Sequence, residues 1–217
     1  MDKIIRVAID GPSGAGKSTI AKAVAKKMNI DYIDTGAMYR AVGLKVKNNG
    51  IDHQDEAAMA AMLAETDIDF VNGDIILDGQ IVNQEIRAND MSMMASKVSA
   101  LPAVRAKLVE LQRKMGQTKS IIMDGRDIGT NVLTDAEYKF FMTASAEERA
   151  DRRYKELIEK GQDVTYDQIL EDIKQRDHND MTRALNPLKK ADDAIELDTT
   201  GMSIDEVTDY ILREVEK

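Results

Sequence analysis

Two repeating patterns of apolar and polar residues run along the chain and together predict an α/β protein. Five short runs of apolar, mostly β-branched residues predict strands, and each run is followed by a segment with helical spacing. The predicted strands span residues 4–10, 32–34, 120–124, 138–142 and 194–198. Strands that alternate with helices are typical of a parallel sheet with right-handed crossovers. The sequence therefore predicts a three-layer core around a five-stranded parallel sheet.

One stretch breaks this alternation. Residues 68–71, 74–78 and 80–82 form short β-prone runs, separated by Asn72-Gly73 and Asp78-Gly79, which are strong hairpin signals. An antiparallel hairpin does not belong to a series of strand–helix units. We therefore predict a small antiparallel β insertion within residues 62–88.

Composition then limits the classes of partner and compartment. A chain of 217 residues suits one domain, here residues 1–217, with a sizeable core. Lys and Arg total 30 against 39 Asp and Glu, and this net charge of −9 argues against broad binding to nucleic acid or to anionic membranes. The absence of Cys excludes disulfides. Residues 1–3 run straight into the first strand without a signal peptide, and no apolar run reaches membrane-spanning length, so we expect a cytoplasmic protein.

The candidate chemistry begins directly after the first strand. Residues 11–18 fit G-x-x-x-x-G-K-[ST] between a strand and a helix, the context that a phosphate-binding loop requires. In such a loop backbone N–H groups turn toward an anion, Lys17 reaches the β- and γ-phosphates, and Ser18 is placed to ligate Mg²⁺. An ordinary glycine-containing turn is the alternative. We predict an ATP-binding loop made of Gly11, Pro12, Ser13, Gly14, Ala15, Gly16, Lys17, Ser18 and Thr19.

Two other strand ends carry polar residues. The strand at 32–34 leads into Thr35, with Arg40 one turn further along the next helix, where Arg40 could bind a second phosphate. Thr35 is also a candidate helix N-cap, and Arg40 would then face solvent. The strand at 120–124 ends on Asp124, in the position of the carboxylate that P-loop proteins place beside Mg²⁺, so Ser18 and Asp124 are the predicted metal residues, Asp124 through water. A buried strand with a polar end is the alternative there.

Arginines also recur on two later helical segments. The first begins with a capping box of Ser145 and Glu148 and carries Arg149, Arg152 and Arg153 on one face. The second places Arg176, Asp180 and Arg183 on one stripe. Surface ion pairs explain both patterns. Together with a phosphate loop, residues 148–170 are better explained as a helical lid whose arginines move inward when ATP binds.

The motifs separate two classes of P-loop protein. Asp198-Thr199-Thr200-Gly201 resembles the D-x-x-G of a GTPase switch, but no N-K-x-D follows it, so the GTPase interpretation fails. The many arginines suit two phosphorylated ligands, which favours a P-loop kinase core. Two alternatives stay open: a kinase for another small acceptor, such as UMP, AMP or a shikimate-like alcohol, and a non-catalytic ATP-binding regulator.

The sequence as a whole resembles the bacterial cytidylate kinases, a family of nucleoside monophosphate kinases. The resemblance covers essentially the whole chain, including the hairpin insertion, which in this family extends the monophosphate-binding region. It is carried by residues 9–17, 34–40, 124–130, 145–150, 176–177 and 197–200. Many members have Gly where this chain has Ser18, and Ser18 makes direct ligation of Mg²⁺ more credible.

This resemblance implies an enzyme of pyrimidine metabolism that transfers the γ-phosphoryl group of ATP to CMP or dCMP, with Mg²⁺, and that is a monomer. It assigns the CMP phosphate to Thr35, Arg40, Arg126 and Arg183, the ribose to Tyr39, Arg176 and Asp180, and the cytosine to Ser96, Arg105 and Asp127. Because uracil replaces the N4 amino donor of cytosine with an acceptor, Asp127 should make UMP a weaker substrate. The catalytic residues are expected to be Lys17, Arg126, Arg149, Arg152 and Arg153.

Overall fold

A five-stranded parallel sheet forms the centre of the computed structural model, which describes residues 4–71 and 73–216. The strands are β1 (Arg6–Asp10), β2 (Asp31–Asp34), β3 (Ile68–Val71), β4 (Asp74–Leu77), β5 (Gln80–Ile81), β6 (Ile121–Gly125), β7 (Tyr138–Thr143) and β8 (Ile195–Asp198). The parallel sheet has the order β2-β6-β1-β7-β8, and β3-β4-β5 form a separate antiparallel sheet. The predicted α/β class, the parallel sheet and the antiparallel insertion are confirmed. The predicted turn residue Asn72 and the N-terminal residues 1–3 lie outside the described residues.

Helices follow most of the strands. They are α1 (Lys17–Met28), α2 (Thr35–Asn48), α3 (Glu56–Ala64), α4 (Asn89–Ser99), α5 (Pro102–Thr118), α6 (Ala146–Glu159), α7 (Tyr166–Thr182) and α8 (Ile204–Val215). A short 3-10 helix covers Glu85–Arg87, and a π-helical turn, which the sequence analysis does not predict, covers Ile128–Val132. None of the helices in the described part of the chain combines the length and apolar character that a membrane span requires.

The chain forms two compact units. Unit 1 contains Met1–Tyr32 and Ser120–Lys217, and unit 2 contains Ile33–Lys119. The single domain of residues 1–217, the insertion bounds of 62–88 and the lid bounds of 148–170 stay predictions.

The core of unit 1 fixes where its loops leave the sheet. Apolar side chains of β1, β6 and β7 pack with those of α1 and α8 in one buried cluster that includes Ile9, Val24, Ile122, Phe140 and Ile211. In the register of the sheet, Asp10 of β1 pairs with Gly125 of β6 and with Phe141 of β7. The segments that follow β1 and β6 therefore leave the sheet at the same end.

Helices α6 and α7 of unit 1 share a small apolar core of their own. It is built from Ala150, Leu157, Ile169 and Ile173. The first turn of α6 is capped by Ser145, whose Oγ accepts the N–H of Glu148 at 3.1 Å. The predicted capping box is only half formed, because the Glu148 carboxylate instead accepts from Arg152 and from the N–H of Gly201.

Unit 2 corrects one detail of the sequence analysis. Asp34, not Thr35, is the N-cap of α2: its carboxylate accepts the N–H of Ala37 at 2.8 Å. Asp34 precedes Thr35 and provides a carboxylate acceptor, whereas Thr35 becomes the buried first residue of the helix. Helix α2 packs closely on α4 at Gly43, where a Cβ would lie 2.8 Å from Cγ of Met94.

Candidate active site

The loop between β1 and α1 is the best-defined part of the site. Gly11 has a φ of +148°, and a Cβ at this position would lie 2.0 Å from the carbonyl oxygen of Met142 in β7. Gly16, in the left-handed region at φ +85°, is the N-cap of α1, so the first N–H groups of the helix follow it directly. Lys17 begins the helix, is buried, and donates from Nζ to the carbonyl oxygen of Pro12 at 2.7 Å. The loop therefore combines a helix N-terminus with a buried cation, the combination that binds phosphate.

The contact between Gly11 and β7 makes a testable prediction about stability. Gly11→Ala should lower the free energy of unfolding by about 2–3 kcal/mol more than Gly161→Ala, because the new methyl group overpacks against a main-chain carbonyl. Gly161 is the matched control: it also has a positive φ, +72°, but opens on space. Urea denaturation of both variants measures the difference, and equal losses would contradict the packing argument.

The surroundings of Lys17 disfavour its charged form. Burial, followed by the nearby positive charge of Arg126, lowers its pKa to about 7, against the opposing effects of Asp124 and Asp10. A bound polyanion would favour the charged ammonium group. The free protein thus pays part of the electrostatic cost of a cation that an anionic ligand would stabilise.

Ser18 and Asp124, the predicted metal residues, contact each other. Ser18 Oγ donates to Asp124 Oδ2 at 2.9 Å, and the Tyr32 hydroxyl donates to Oδ1 at 2.7 Å. Hydroxyl and carboxylate oxygens are the ligands that Mg²⁺ prefers, commonly with one or two protein groups and substrate phosphates. The donor set fits that ion, and Tyr32, which the sequence analysis missed, orients the carboxylate.

Predicted acceptor residues of unit 1 form two buried ion pairs beyond β6. Arg126 Nε donates to Asp180 Oδ2 at 2.7 Å, and Arg183 Nη2 donates to Asp127 Oδ1 at 2.9 Å. Burial alone would raise the pKa of Asp180, but the Arg126 charge lowers it below the ordinary value, with help from Arg176 and Arg183. The structure thus brings these five residues together and keeps Asp180 ionised.

The three predicted lid arginines of α6 have different surroundings. Arg149 is buried and donates to the carbonyl oxygens of Ser13 at 2.9 Å and Ala144 at 3.0 Å, and it forms a fork with both carboxylate oxygens of Asp177. Arg152 contacts Glu148 and the carbonyl oxygen of Thr199. Arg153 instead pairs with Glu156 at 2.9 Å. Arg149 therefore contacts the phosphate loop, and Arg153 lies in a surface ion pair.

The sequence analysis missed two carboxylates of this site. Asp177 holds the Arg149 fork, and buried Asp10 accepts the N–H groups of Ile128 and Gly129. An Asp at the end of a buried strand, directly before the phosphate loop, was the available signal for Asp10. Asp177 had only its position beside Arg176 to distinguish it from a surface acid.

The predicted acceptor residues of unit 2 lie on three of its helices. Arg40 on α2 pairs with Asp34 at 3.1 Å, while its Nε is buried without a hydrogen-bond partner among the described residues. Tyr39 on α2 lies under Arg105 of α5, with the guanidinium carbon 5.9 Å from the ring centroid. Ser96 is half-buried on α4. Thr35 and Arg105 are buried, so unit 2 holds polar groups that suit a polar ligand.

A parallel sheet with a phosphate-binding loop after β1, a lysine at the start of α1 and a carboxylate at the end of β6 defines the class of P-loop kinases. Two solved structures share the fold: an uncharacterized protein from Eubacterium ventriosum ATCC 27560, with a TM-score of 0.56, 16% identity and 99% of both chains covered, and shikimate kinase from Bacteroides thetaiotaomicron, with a TM-score of 0.51, 11% identity and 99% and 100% covered. At this identity the likeness is one of fold.

Sequence comparisons place the chain within that class. The profile described as cytidylate kinase matches residues 7–217. Similar curated relatives include the cytidylate kinases of Clostridium perfringens strain SM101, 52% identical over 100% of both chains, and Caldicellulosiruptor saccharolyticus, 54% identical over 97% of this chain and 95% of the relative. The chain belongs to the cytidylate kinase family.

Proposed function

We propose that this protein transfers the γ-phosphoryl group of ATP to CMP or dCMP, giving ADP and CDP or dCDP, and accepts UMP less well. Membership of the cytidylate kinase family supports the reaction. The observation that carries the choice of base is the buried carboxylate of Asp127, held by Arg183 and Asn131 at the end of β6. A fixed carboxylate accepts from the N4 amino group of cytosine and would face an acceptor in uracil.

The chemistry needs no general base from the protein. A phosphate monoester has a second pKa of about 6, so the attacking oxygen of CMP is already largely anionic at neutral pH. The main obstacle is to hold two polyanions in line. We propose that four cationic side chains neutralise charge on the phosphates of ATP: Lys17, Arg149, Arg152 and, as the sequence analysis predicts, Arg153. Arg126 and Arg183 hold the phosphate of the acceptor.

Arginines paired with Asp in the free protein suit this role. The guanidinium groups of Arg126, Arg149 and Arg183 are buried or half-buried and therefore already partly desolvated. Because each is paired with an Asp carboxylate, its position is largely fixed before the ligand arrives. We propose the remaining acceptor roles on the resemblance: Thr35 and Arg40 for the phosphate, Tyr39, Arg176 and Asp180 for the ribose, and Ser96 and Arg105 for the base. The buried Nε of Arg40, which has no hydrogen-bond partner within the described part of the chain, supports a phosphate ligand there.

We propose Ser18 and Asp124 as the residues that hold Mg²⁺, Ser18 directly and Asp124 through water. When bound, the ion would neutralise charge on the β- and γ-phosphates. Ser18 Oγ would exchange its hydrogen bond to Asp124 for this role, and Tyr32 would keep the carboxylate oriented. A monomeric, cytoplasmic enzyme remains part of the proposal.

An acceptor panel tests the proposal. With ATP and Mg²⁺, the kcat/KM for CMP and dCMP should exceed that for UMP by about 10-fold or more, because a site built to bond a substrate amino group rejects an analogue that lacks it. It should exceed that for AMP, whose purine is larger than cytosine, and that for shikimate, which has no phosphate, by about 10³-fold. Coupled release of ADP measures each rate, and omission of Mg²⁺ should abolish all of them. Preference for AMP or shikimate would favour another kinase. ATP binding without acceptor-dependent ADP release would favour a regulator.

A further inference from the structure

One buried carboxylate joins the phosphate loop to the turn that directly follows the proposed acceptor residues Arg126 and Asp127. Asp10 ends β1 directly before Gly11, and its side chain is buried. Its Oδ1 accepts the N–H of Ile128 at 2.8 Å, and its Oδ2 accepts the N–H of Gly129 at 2.7 Å. We propose that Asp10 is a positioning residue that fixes the turn after Asp127 and thereby sets acceptor affinity and the preference for cytosine. The inference rests on the proposed CMP kinase function.

The geometry of the turn explains why it needs a carboxylate. Within Ile128–Val132, the N–H groups of Asn131 and Val132 reach the carbonyl oxygen of Asp127, and the N–H of Leu133 reaches that of Ile128. The first N–H groups of a helical turn have no acceptor inside it. Those of Ile128 and Gly129 are the ones that Asp10 accepts. An Asp supplies two acceptor oxygens in this position, whereas an Asn would turn an NH₂ group toward one of the two amides.

The same turn holds the proposed base-reading group. Asn131, inside the turn, donates from Nδ2 to Asp127 Oδ2 at 3.1 Å, and Arg183 donates to Oδ1. A shift of the turn would therefore move Asn131 and the Asp127 carboxylate together. Asp10 itself is fixed by β1, the central strand of the sheet. It thus connects the central strand to the turn that follows Asp127.

Burial and electrostatics agree with an ionised, two-oxygen acceptor at neutral pH. Burial and, to a smaller extent, the Asp127 charge raise the pKa of Asp10 to about 6, against the opposing effect of the two backbone hydrogen bonds. At pH 7.5 the group is mostly ionised, so both oxygens accept hydrogen bonds. If Asp10 capped the turn only to stabilise the fold, its replacement would not be expected to change acceptor affinity or the preference for cytosine.

Asp10→Asn is the principal test. We expect it to lower kcat/KM for CMP about 10- to 100-fold, mainly through KM, and to lower the CMP:UMP ratio of kcat/KM about 5-fold or more, as loss of a supporting hydrogen-bond partner does elsewhere. The Kd for ATP, measured by calorimetry, should change less than about 3-fold, because the phosphate-loop amides stay in place. Loss of folded protein alone would reduce all rates equally and leave KM, Kd and the ratio unchanged.

Two further variants complete the test. Asp209 is an exposed carboxylate paired with Lys27. Asp209→Asn is therefore the control and should leave kcat, KM, the Kd for ATP and the CMP:UMP ratio within about 2-fold of wild type. Gly129→Ala keeps the Asp10 carboxylate but places a Cβ 3.4 Å from its Oδ2 and 3.2 Å from Cδ of Lys139. It should therefore shift the KM for CMP and the CMP:UMP ratio in the same direction as Asp10→Asn. If Asp10→Asn does not fold, Gly129→Ala decides whether Asp10 has the positioning role.

A wild-type CMP:UMP ratio and wild-type KM in Asp10→Asn, or in Gly129→Ala if Asp10→Asn does not fold, would overturn the positioning role. Absence of any CMP preference in the wild-type enzyme would overturn the proposed function instead. In that case the KM of the acceptor that the wild-type enzyme does phosphorylate decides the positioning role in the same way.

Discussion

Replacing Lys17 with Met is expected to lower kcat for ATP and CMP about 10³-fold. The Lys17 ammonium group is buried at the N-terminus of α1 and donates a hydrogen bond to a carbonyl oxygen of the loop, Pro12 O, at 2.7 Å. An incoming phosphate would compete with that carbonyl for the ammonium group. A cation fixed in advance stabilises charge that develops on the transferring phosphoryl group, and Met fills the volume without supplying the charge.

Steady-state turnover and ATP binding together check this prediction. The Kd for ATP should rise only about 10-fold, because the amides of the loop and the helix N-terminus remain. Lys26→Met, on the exposed side of the same helix, is the matched control and should retain turnover within about 2-fold. Turnover of Lys17→Met within about 10-fold of wild type would remove Lys17 from the catalytic residues.

The stability of Lys17→Met relative to wild type should also depend on pH, which a misfolded variant would not show. The pKa of Lys17 is about 7 in the folded protein against an ordinary 10.5, so between these values the unfolded chain binds the proton more tightly. The charged lysine therefore destabilises the wild-type fold fully below about pH 7, and this penalty fades as the pH rises toward 10.5. The Tm of Lys17→Met relative to wild type should accordingly be highest at pH 6–7 and should fall steadily toward pH 10. A pH-independent difference would contradict the buried charge.

The sequence predicted the parallel sheet well because its signals are local. Each of the five strands lies within two residues of its predicted bounds, since buried strands of a parallel sheet are continuous apolar runs that end at polar or glycine residues. The phosphate loop is equally local: eight consecutive residues carry the turn, the lysine and the helix start. The hairpin signal at Asp78-Gly79 likewise predicted the β4–β5 turn.

Features that depend on residues far apart in the sequence were not predictable in this way. The π-helical turn at Ile128–Val132 is held by Asp10, more than a hundred residues earlier, so nothing in its own sequence marks it. The sequence analysis named only Thr35 as the candidate cap of α2, whereas Asp34, one residue earlier, takes that position. The different surroundings of Arg149 and Arg153 were also not predictable from the local sequence, because the partner of Arg149 is Asp177 on another helix, α7.

Replacing Arg126 with Met is the second large expected effect, a loss of about 10³-fold in kcat/KM for CMP with the Kd for ATP changed less than about 3-fold. Arg126 is fixed by its ion pair with Asp180 and by a bond to its neighbour's carbonyl, Gly125 O, at 3.3 Å. Arg126→Lys should lose about 10²-fold, since a lysine keeps the charge but not the planar fork that binds two phosphate oxygens. Arg213→Met, exposed on α8, is the control and should stay within about 2-fold.

Stability separates the catalytic role of Arg126 from its structural one. Arg126→Met leaves the Asp180 carboxylate buried without its closest cation, which should lower the free energy of unfolding by up to about 3 kcal/mol. Adding Asp180→Asn removes that uncompensated charge, so the double variant should regain most of the lost stability while its kcat/KM for CMP stays low. Recovery of activity together with stability would show that Arg126 acts only by neutralising Asp180, because the double variant has no guanidinium group at position 126 to bind phosphate.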